Sequence, residues 1–210
     1  MKKIIISLVS SLLVVLLGIL GLNMFKGAGP RERIKAENGS SIIVEELSFY
    51  RHNDKIFGKI FKPADENGYF PDSLGAMPVV IFFHEPLKTS YPESIAKTLA
   101  KEGLICYVSA YHEKEKDVEF IIKKISKEKF TDSERIYLIS DSYSSEAVVK
   151  ASCNLRKYVN GLVMIESELD DKTERMVRGM DFDVLDLAEG DISTAKAAIL
   201  DYLELRGALK

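Results

Sequence analysis

The chain has 210 residues, of which 46% are hydrophobic and 29% charged, a balance typical of a globular protein rather than a disordered or fibrous one. Its net charge of −3 argues against a nucleic-acid-binding protein, which would normally carry a basic surplus. Two cysteines are too few for a disulfide framework or a four-cysteine zinc site, and three histidines offer little material for a histidine-rich metal centre. We therefore expect neither a resident metal nor another cofactor.

The N-terminus has the pattern of a membrane segment. Two lysines after Met1 precede residues 4–22, which contain no charged side chain. A helix of this length rises about 28 Å, close to the ~30 Å hydrocarbon core of a bilayer. A cleaved signal peptide is the alternative, but its apolar run would normally be shorter, and small residues suited to cleavage occur only at 27–29. We predict a signal anchor over residues 1–26, with the globular part of the chain outside the cytoplasm; secretion after cleavage remains the alternative.

The residues after the anchor divide into a linker and a domain. Residues 27–40 are mostly polar and are predicted to be the linker, and residues 41–210 are predicted to be the domain. Two β-rich runs, 41–49 and 55–61, are separated by a turn-rich tetrapeptide, and this arrangement predicts a β-hairpin.

Strands and helices then alternate along the domain, after a loop rich in proline and glycine at 62–77. The predicted strands are 78–83, 104–110, 135–139, 159–165 and 182–187. The predicted helices, which have apolar residues at helical spacing, are 92–102, 116–129, 144–152, 171–177 and 192–205. This alternation predicts an α/β fold with a mainly parallel sheet and helices on both faces.

In such a sheet the residues that directly follow the strands meet at one edge and form the working site. Ser142 is the most informative of these residues, because a predicted strand precedes it, a predicted helix follows it, and small residues stand two positions away on either side. This pattern is typical of a nucleophile elbow, in which the serine occupies a strained turn and N–H groups of the helix N-terminus stabilise an oxyanion. The alternative is an ordinary serine-rich helix N-cap, formed by Ser142 or Ser144.

The domain resembles the α/β-hydrolase superfamily over roughly residues 41–205. The similarity lies in the strings FGKIFKP, PVVIFFHE, LICYVSA, DSERIYLISDSYSS and VNGLVMIES. The string SDS is similar to the Gly-Asp-Ser variant of some esterases, and HE at 84–85 is similar to the His-Glu of dienelactone hydrolases. The resemblance implies Ser142 as the nucleophile, the N–H of Tyr143 as an oxyanion donor and Asp191 as the acid that orients the base.

Three departures from the superfamily pattern bear on catalysis. The superfamily's histidine follows a last strand, but here no histidine follows His112 and no such strand precedes Lys210. Pro86, which has no N–H, stands where the second oxyanion donor is expected, and serines replace both elbow glycines. His84 is the candidate substitute base, ahead of His112, and Glu166 is an alternative to Asp191 as the acid.

The sequence thus predicts a hydrolase-type sheet that lacks the last strand and helix and is tethered by one N-terminal helix. We predict a serine hydrolase of the carboxylic-ester type, or a degenerate descendant of one, that acts on a small ester-like molecule. The alternative is a catalytically inactive hydrolase-fold module that binds a ligand or a protein partner. A truncated chain is a third interpretation, in which the sheet would expose an unpaired edge.

Overall fold

The computed structural model describes residues 41–52, 54–71, 75–85, 90–110, 114–188 and 192–209. The predicted anchor, the predicted linker and the candidates Pro86, His112 and Asp191 lie outside these residues. In the part of the chain that is described, no helix is long and apolar enough to cross a membrane.

The elements follow the predicted order closely. The strands are β1 (Ile42–Glu46), β2 (Phe49–Arg51), β3 (Asp54–Ile56), β4 (Gly58–Pro63), β5 (Met77–His84), β6 (Ile105–Ala110), β7 (Thr131–Asp141), β8 (Val159–Ile165) and β9 (Val184–Leu187). The helices are α1 (Ser90–Lys101), α2 (Glu115–Ile125), α3 (Ser145–Asn154), α4 (Asp171–Arg178) and α5 (Ile192–Leu205). The predicted hairpin is present as the β1–β4 pair, and the small β2–β3 hairpin is an addition to it.

The main sheet has seven strands among the described residues, in the order β1-β4-β6-β5-β7-β8-β9. β1 and β4 run antiparallel to their neighbours, whereas β6, β5, β7, β8 and β9 are parallel. Every residue of β5 is buried, as expected for a strand covered on both faces. The predicted mainly parallel sheet is therefore confirmed.

Helices cover both faces of this sheet, as right-handed crossovers require. On one face α2 and α3 pack through apolar side chains such as Ile121 and Val148. On the other face α1 and α5 pack through Leu99 and Leu203. The chain moves in one direction along the sheet from β5 to β6 and in the opposite direction from β7 to β8, so α1 and α3 lie on opposite faces.

Two tyrosines fasten α5 to its face of the sheet. The hydroxyl of Tyr202 donates to the carbonyl of Asp183 at 2.6 Å, and the hydroxyl of Tyr137 donates to the carbonyl of Arg206 at 3.1 Å. Gly161 on β8 provides the space for the Tyr202 ring, since an added Cβ would lie 2.4 Å from the tyrosine oxygen. Close approach between helix and strand therefore requires glycine at this position.

Tyr107 on β6 gives the fold a predicted sensitivity to alkaline pH. Its hydroxyl donates to the carbonyl of Leu47 at 3.1 Å, and burial raises its pKa to about 12. An unfolded tyrosine has a pKa near 10, so between about pH 10 and 12 the unfolded chain loses a proton that the folded chain retains. The free energy of unfolding must then fall as the pH rises, by about 3 kcal/mol for a shift of this size. We expect urea unfolding to show this fall and Tyr107→Phe to reduce it.

The matched control for this prediction is Tyr50→Phe, because Tyr50 is largely exposed. We expect this variant to keep the full pH dependence of the wild-type chain. Burial also raises the pKa of Tyr202, to about 12, and the pKa values of Tyr91 and Tyr137, so part of the pH dependence should remain in Tyr107→Phe. Equal pH dependence in the wild-type chain and in Tyr107→Phe would contradict the assignment to Tyr107.

Candidate functional site

Ser142 lies between the central strand β7, which ends at Asp141, and helix α3, which begins at Ser145. Its side chain is exposed at the carboxyl edge of the parallel strands. Among the described residues its hydroxyl makes no hydrogen bond. The predicted strand–serine–helix context is thus present, with the hydroxyl open to solvent.

The small residues on either side of Ser142 are fully buried. Ser140 and Ser144 have no exposed surface, and the hydroxyl of Ser144 lies 2.8 Å from the carbonyl of Phe83 on the neighbouring strand β5. The hydroxyls of Ser140 and Ser145 lie 3.1 Å apart, and that of Ser145 donates to the carbonyl of Asp141 at 2.6 Å. These serines are structural, and their tight surroundings explain the need for small side chains at both positions.

Asp141 connects the ends of β5 and β7 with the start of α3. One carboxylate oxygen accepts the N–H of Glu85 at 2.6 Å, and the other accepts the N–H of Ser144 at 3.1 Å. The second oxygen also lies 2.9 Å from the Ser144 hydroxyl, whose single hydrogen serves either this oxygen or the Phe83 carbonyl. Sequence reasoning missed Asp141, because its partner Glu85 is 56 residues away and becomes a neighbour only through the β5–β7 pairing.

Removal of the Asp141 carboxylate should destabilise this edge. Asp141→Ala removes the carboxylate that accepts the N–H of Glu85, and the N–H of Ser144 keeps only the backbone carbonyl of residue 141 as its acceptor. We therefore expect the free energy of unfolding to fall by about 1 to 3 kcal/mol. Asp141→Asn retains one acceptor oxygen, so its loss should be about half as large. Urea unfolding measures both variants, and equal stability of Asp141→Ala and the wild-type chain would contradict this role.

The backbone at Ser142 differs from that of a strained elbow. Among the described residues other than glycine, positive φ occurs only at His52 and Glu166. The N–H of Ser144 lies 3.2 Å from the carbonyl of Asp141, which closes an ordinary turn over these four residues. The expectation of a strained serine is therefore wrong for this structure, because the Asp141–Ser144 turn accommodates the change from strand to helix with φ in its usual range.

His84, the predicted substitute base, is the buried last residue of β5. Its Nδ1 lies 2.7 Å from the carbonyl oxygen of Glu85. Because a carbonyl only accepts, Nδ1 carries the hydrogen, and the neutral ring then has its lone pair on Nε2. Phe83 pairs with Ser140 in the parallel β5–β7 register, so the next residue, His84, stands level with Asp141. Ser142 directly follows Asp141 in the chain. The role of His84 as a base stays a prediction.

Glu166, the predicted alternative acid, ends β8 with an exposed side chain and a φ of 54°. Its N–H donates to the carbonyl of Leu187 at 2.8 Å, which extends the pairing of β8 with β9. Burial raises the pKa of Tyr91 in the first turn of α1, and the negative charge of Glu166 raises it further. None of the described contacts brings Glu166 to His84.

Tyr143, whose N–H is the predicted oxyanion donor, lies in the turn before α3 with an exposed ring. The other predicted acid, Asp191, lies outside the described residues.

Within the described ranges, no group of three or more histidine, cysteine, aspartate or glutamate side chains could hold a metal ion. Cys106 is buried and Cys153 partly buried, and neither forms a disulfide.

Several solved structures are similar to this one in fold. No protein-family model matches the chain, and no curated protein sequence matches it. Est1E from Butyrivibrio proteoclasticus superposes with a TM-score of 0.63 and 10% identity, over 78% of this chain and 99% of its own. The dienelactone hydrolase-like promiscuous phosphotriesterase P91 from metagenomic libraries superposes with a TM-score of 0.62 and 11% identity, over 80% of this chain and 99% of its own.

A cold-adapted esterase from an Arctic intertidal metagenomic library, solved with zinc bound, is similar as well, with a TM-score of 0.58 and 13% identity over 84% of this chain and 98% of its own. At these identities the likeness concerns the fold. The chain therefore has the α/β-hydrolase fold that dienelactone hydrolase-like proteins and esterases share.

Proposed function

We propose that the chain is a membrane-anchored hydrolase that cleaves a small carboxylic ester through Ser142. The observation that carries the proposal is the geometry of the β7–α3 turn. Ser142 is exposed at the end of the central parallel strand, while Ser140 and Ser144, two residues away on either side, are fully buried. The fold shared with esterases and dienelactone hydrolase-like proteins supports this assignment.

In the proposed reaction the Oγ of Ser142 attacks the ester carbonyl, a base takes the hydroxyl proton, and the N–H of Tyr143 stabilises the oxyanion. The alcohol leaves with that proton, and water then hydrolyses the acyl-serine to release the acid. His84 is the proposed base, because its Nδ1–H faces the Glu85 carbonyl and its Nε2 is left to accept a proton. Asp191 or Glu166 is the proposed acid.

The proposed location of this activity follows from the sequence of the first 26 residues. A charge-free apolar run of residues 4–22 after a short basic start supports an uncleaved anchor, with the hydrolase domain outside the cytoplasm. Release by signal cleavage would leave the same domain secreted. Membrane extraction with carbonate separates the two, because only an anchored chain stays in the pellet.

A fluorophosphonate probe tests the proposed nucleophile directly. An activated serine displaces fluoride and becomes phosphonylated, whereas an inactive serine does not react at a useful rate. We expect the full-length chain in detergent to be labelled and Ser142→Ala to be unlabelled. Ser167→Ala, at the end of neighbouring strand β8, is the matched control and should be labelled like the wild-type chain.

The second candidate is a catalytically inactive module that binds a ligand or a protein. Two observations favour it: the backbone at Ser142 is unstrained, and the Asp141 carboxylate already occupies the N–H of Glu85. Labelling of the wild-type chain no stronger than that of Ser142→Ala would support this module and would contradict the hydrolase.

A further inference from the structure

The well-exposed aromatic side chains of the described residues all lie at one edge of the sheet. Tyr50, Phe57 and Tyr143 have 66%, 59% and 47% of their surface exposed. Tyr143 follows the carboxyl end of β7. Phe57 directly precedes β4, whose first residue pairs with Ser109 at the carboxyl end of β6. The three rings therefore share the edge where the parallel strands end.

The β2–β3 hairpin presents one buried face and one exposed face. Phe49 and Ile56 pair across the two strands and are both buried in the core. On the opposite face Tyr50 pairs with Lys55, and the Nζ of Lys55 lies 4.4 Å from the centre of the Phe57 ring. Exposed aromatic rings beside a lysine are typical of side chains at a membrane–water interface, where the rings enter the headgroup region and the ammonium group remains hydrated.

The hairpin is held in a fixed orientation on the domain. Arg51 forms an ion pair with Asp117 in the first turn of α2. The N–H of Leu47 donates to the carbonyl of Gly58 at 2.9 Å, which closes the base of the hairpin. The exposed face of Tyr50, Lys55 and Phe57 therefore belongs to a hairpin that these contacts hold on the domain at the carboxyl edge.

The residues before β1 indicate which surface meets this face. The apolar run 4–22 is predicted to lie in a bilayer, and the residues from there to β1 can extend at most about 70 Å. The domain is thus confined near lipid. The chain after residue 26 carries 26 basic and 32 acidic side chains, so charge does not attract it to anionic lipid and any docking must depend on the aromatic rings.

We propose that the carboxyl edge of the sheet docks on the bilayer in which the chain is anchored. Tyr50 and Phe57 enter the interface and Lys55 lies among the headgroups. The inference rests on the anchor of the proposed function and adds to it an orientation, with Ser142 and Tyr143 at the edge that faces the lipid.

Tryptophan fluorescence tests this orientation, because the chain contains no tryptophan. The full-length Phe57→Trp chain is reconstituted in phosphatidylcholine vesicles whose acyl chains are brominated near the headgroup. The matched control is Tyr158→Trp, a partly exposed ring directly before β8 at the opposite edge. We expect blue-shifted emission and at least twofold stronger quenching for Phe57→Trp than for Tyr158→Trp. Equal quenching at the two positions, or none at position 57, would overturn the proposal.

Flotation of the same vesicles reports the anchor separately. A chain that floats but shows no selective quenching at position 57 retains the anchor and overturns the docking. A chain that does not float overturns both. Both measurements are made in a Ser142→Ala background, so neither depends on hydrolysis, and failure of the proposed catalytic activity has no influence on them. Tyr50→Trp provides a second probe of the same face and should be quenched like Phe57→Trp.

Discussion

The full-length chain carrying Ser142→Ala is expected to lose ester hydrolysis by at least about 10³-fold in kcat/KM relative to the wild-type chain. The reason is that the alanine side chain has no atom that can form the acyl intermediate, while binding and any oxyanion stabilisation are retained. Hydrolysis of short-chain nitrophenyl esters in detergent measures the loss. The free energy of unfolding should change by less than about 0.5 kcal/mol, because the side chain is exposed and makes no described hydrogen bond.

The same assay tests whether His84 acts with Ser142. A nucleophile and its base act as one unit, so loss of either should cost nearly as much as loss of both. We expect His84→Ala and the double variant to be as slow as Ser142→Ala. His84→Gln separates chemistry from structure, since its amide N–H can replace the hydrogen bond to the Glu85 carbonyl but cannot act as a base. Full activity in His84→Gln would exclude this histidine and direct attention to His112.

Gly161→Ala is expected to lower the free energy of unfolding by about 2 to 3 kcal/mol, the largest stability effect that we predict from one added methyl group. Its Cβ would lie 2.4 Å from the hydroxyl of Tyr202 and 3.1 Å from the ring of Tyr137. Both rings belong to the contact between α5 and the sheet and cannot move away without loss of their hydrogen bonds. Urea unfolding by circular dichroism measures the effect.

A rescue variant makes this prediction specific. Tyr202→Phe removes the oxygen that the methyl group meets first, and the next atom of the same side chain, Cζ, is 3.2 Å away. The double variant should therefore be more stable than the sum of the two single effects predicts, by about 1 kcal/mol. Gly179→Ala is the control, because its Cβ would meet only carbonyl oxygens at 3.6 Å. Strict additivity of Gly161→Ala and Tyr202→Phe would show that the cost arises elsewhere.

The elements of the fold were predictable because their signals are local. The apolar run at 78–83 and the helical spacing of Val118, Ile121, Ile122 and Ile125 identify β5 and α2 without knowledge of their neighbours. The direction of the crossovers then fixes which face each helix covers. By contrast, the β2–β3 hairpin contains only three residues per strand, too few for a periodic pattern to distinguish it from a turn.

The candidate site was predictable in its position and not in its hydrogen bonding. Ser142 follows from the order of strand, small residues and helix, all of which lie within a few positions in sequence. The role of Asp141 depends on the N–H of Glu85, which the pairing of β5 with β7 brings close. The unstrained turn is closed by the backbone carbonyl of Asp141, which any residue at that position would supply. The resemblance to families with glycine in the elbow could not predict these hydrogen bonds, because glycine has no side chain and Ser140 and Ser144 have hydroxyl groups that take part in them.

The docking of α5 has a consequence for the timing of folding during synthesis. The face of the sheet that α1 begins to cover stays incomplete until α5 packs against it, and α5 follows β6, β7, β8 and β9 in the chain. Tyr202 cannot reach the carbonyl of Asp183 before the last helix has left the ribosome. A nascent chain therefore cannot complete this layer of its core until α5 has been synthesised. If the N-terminal segment directs export, this delay keeps the polypeptide loose enough to pass through a translocation channel before it folds.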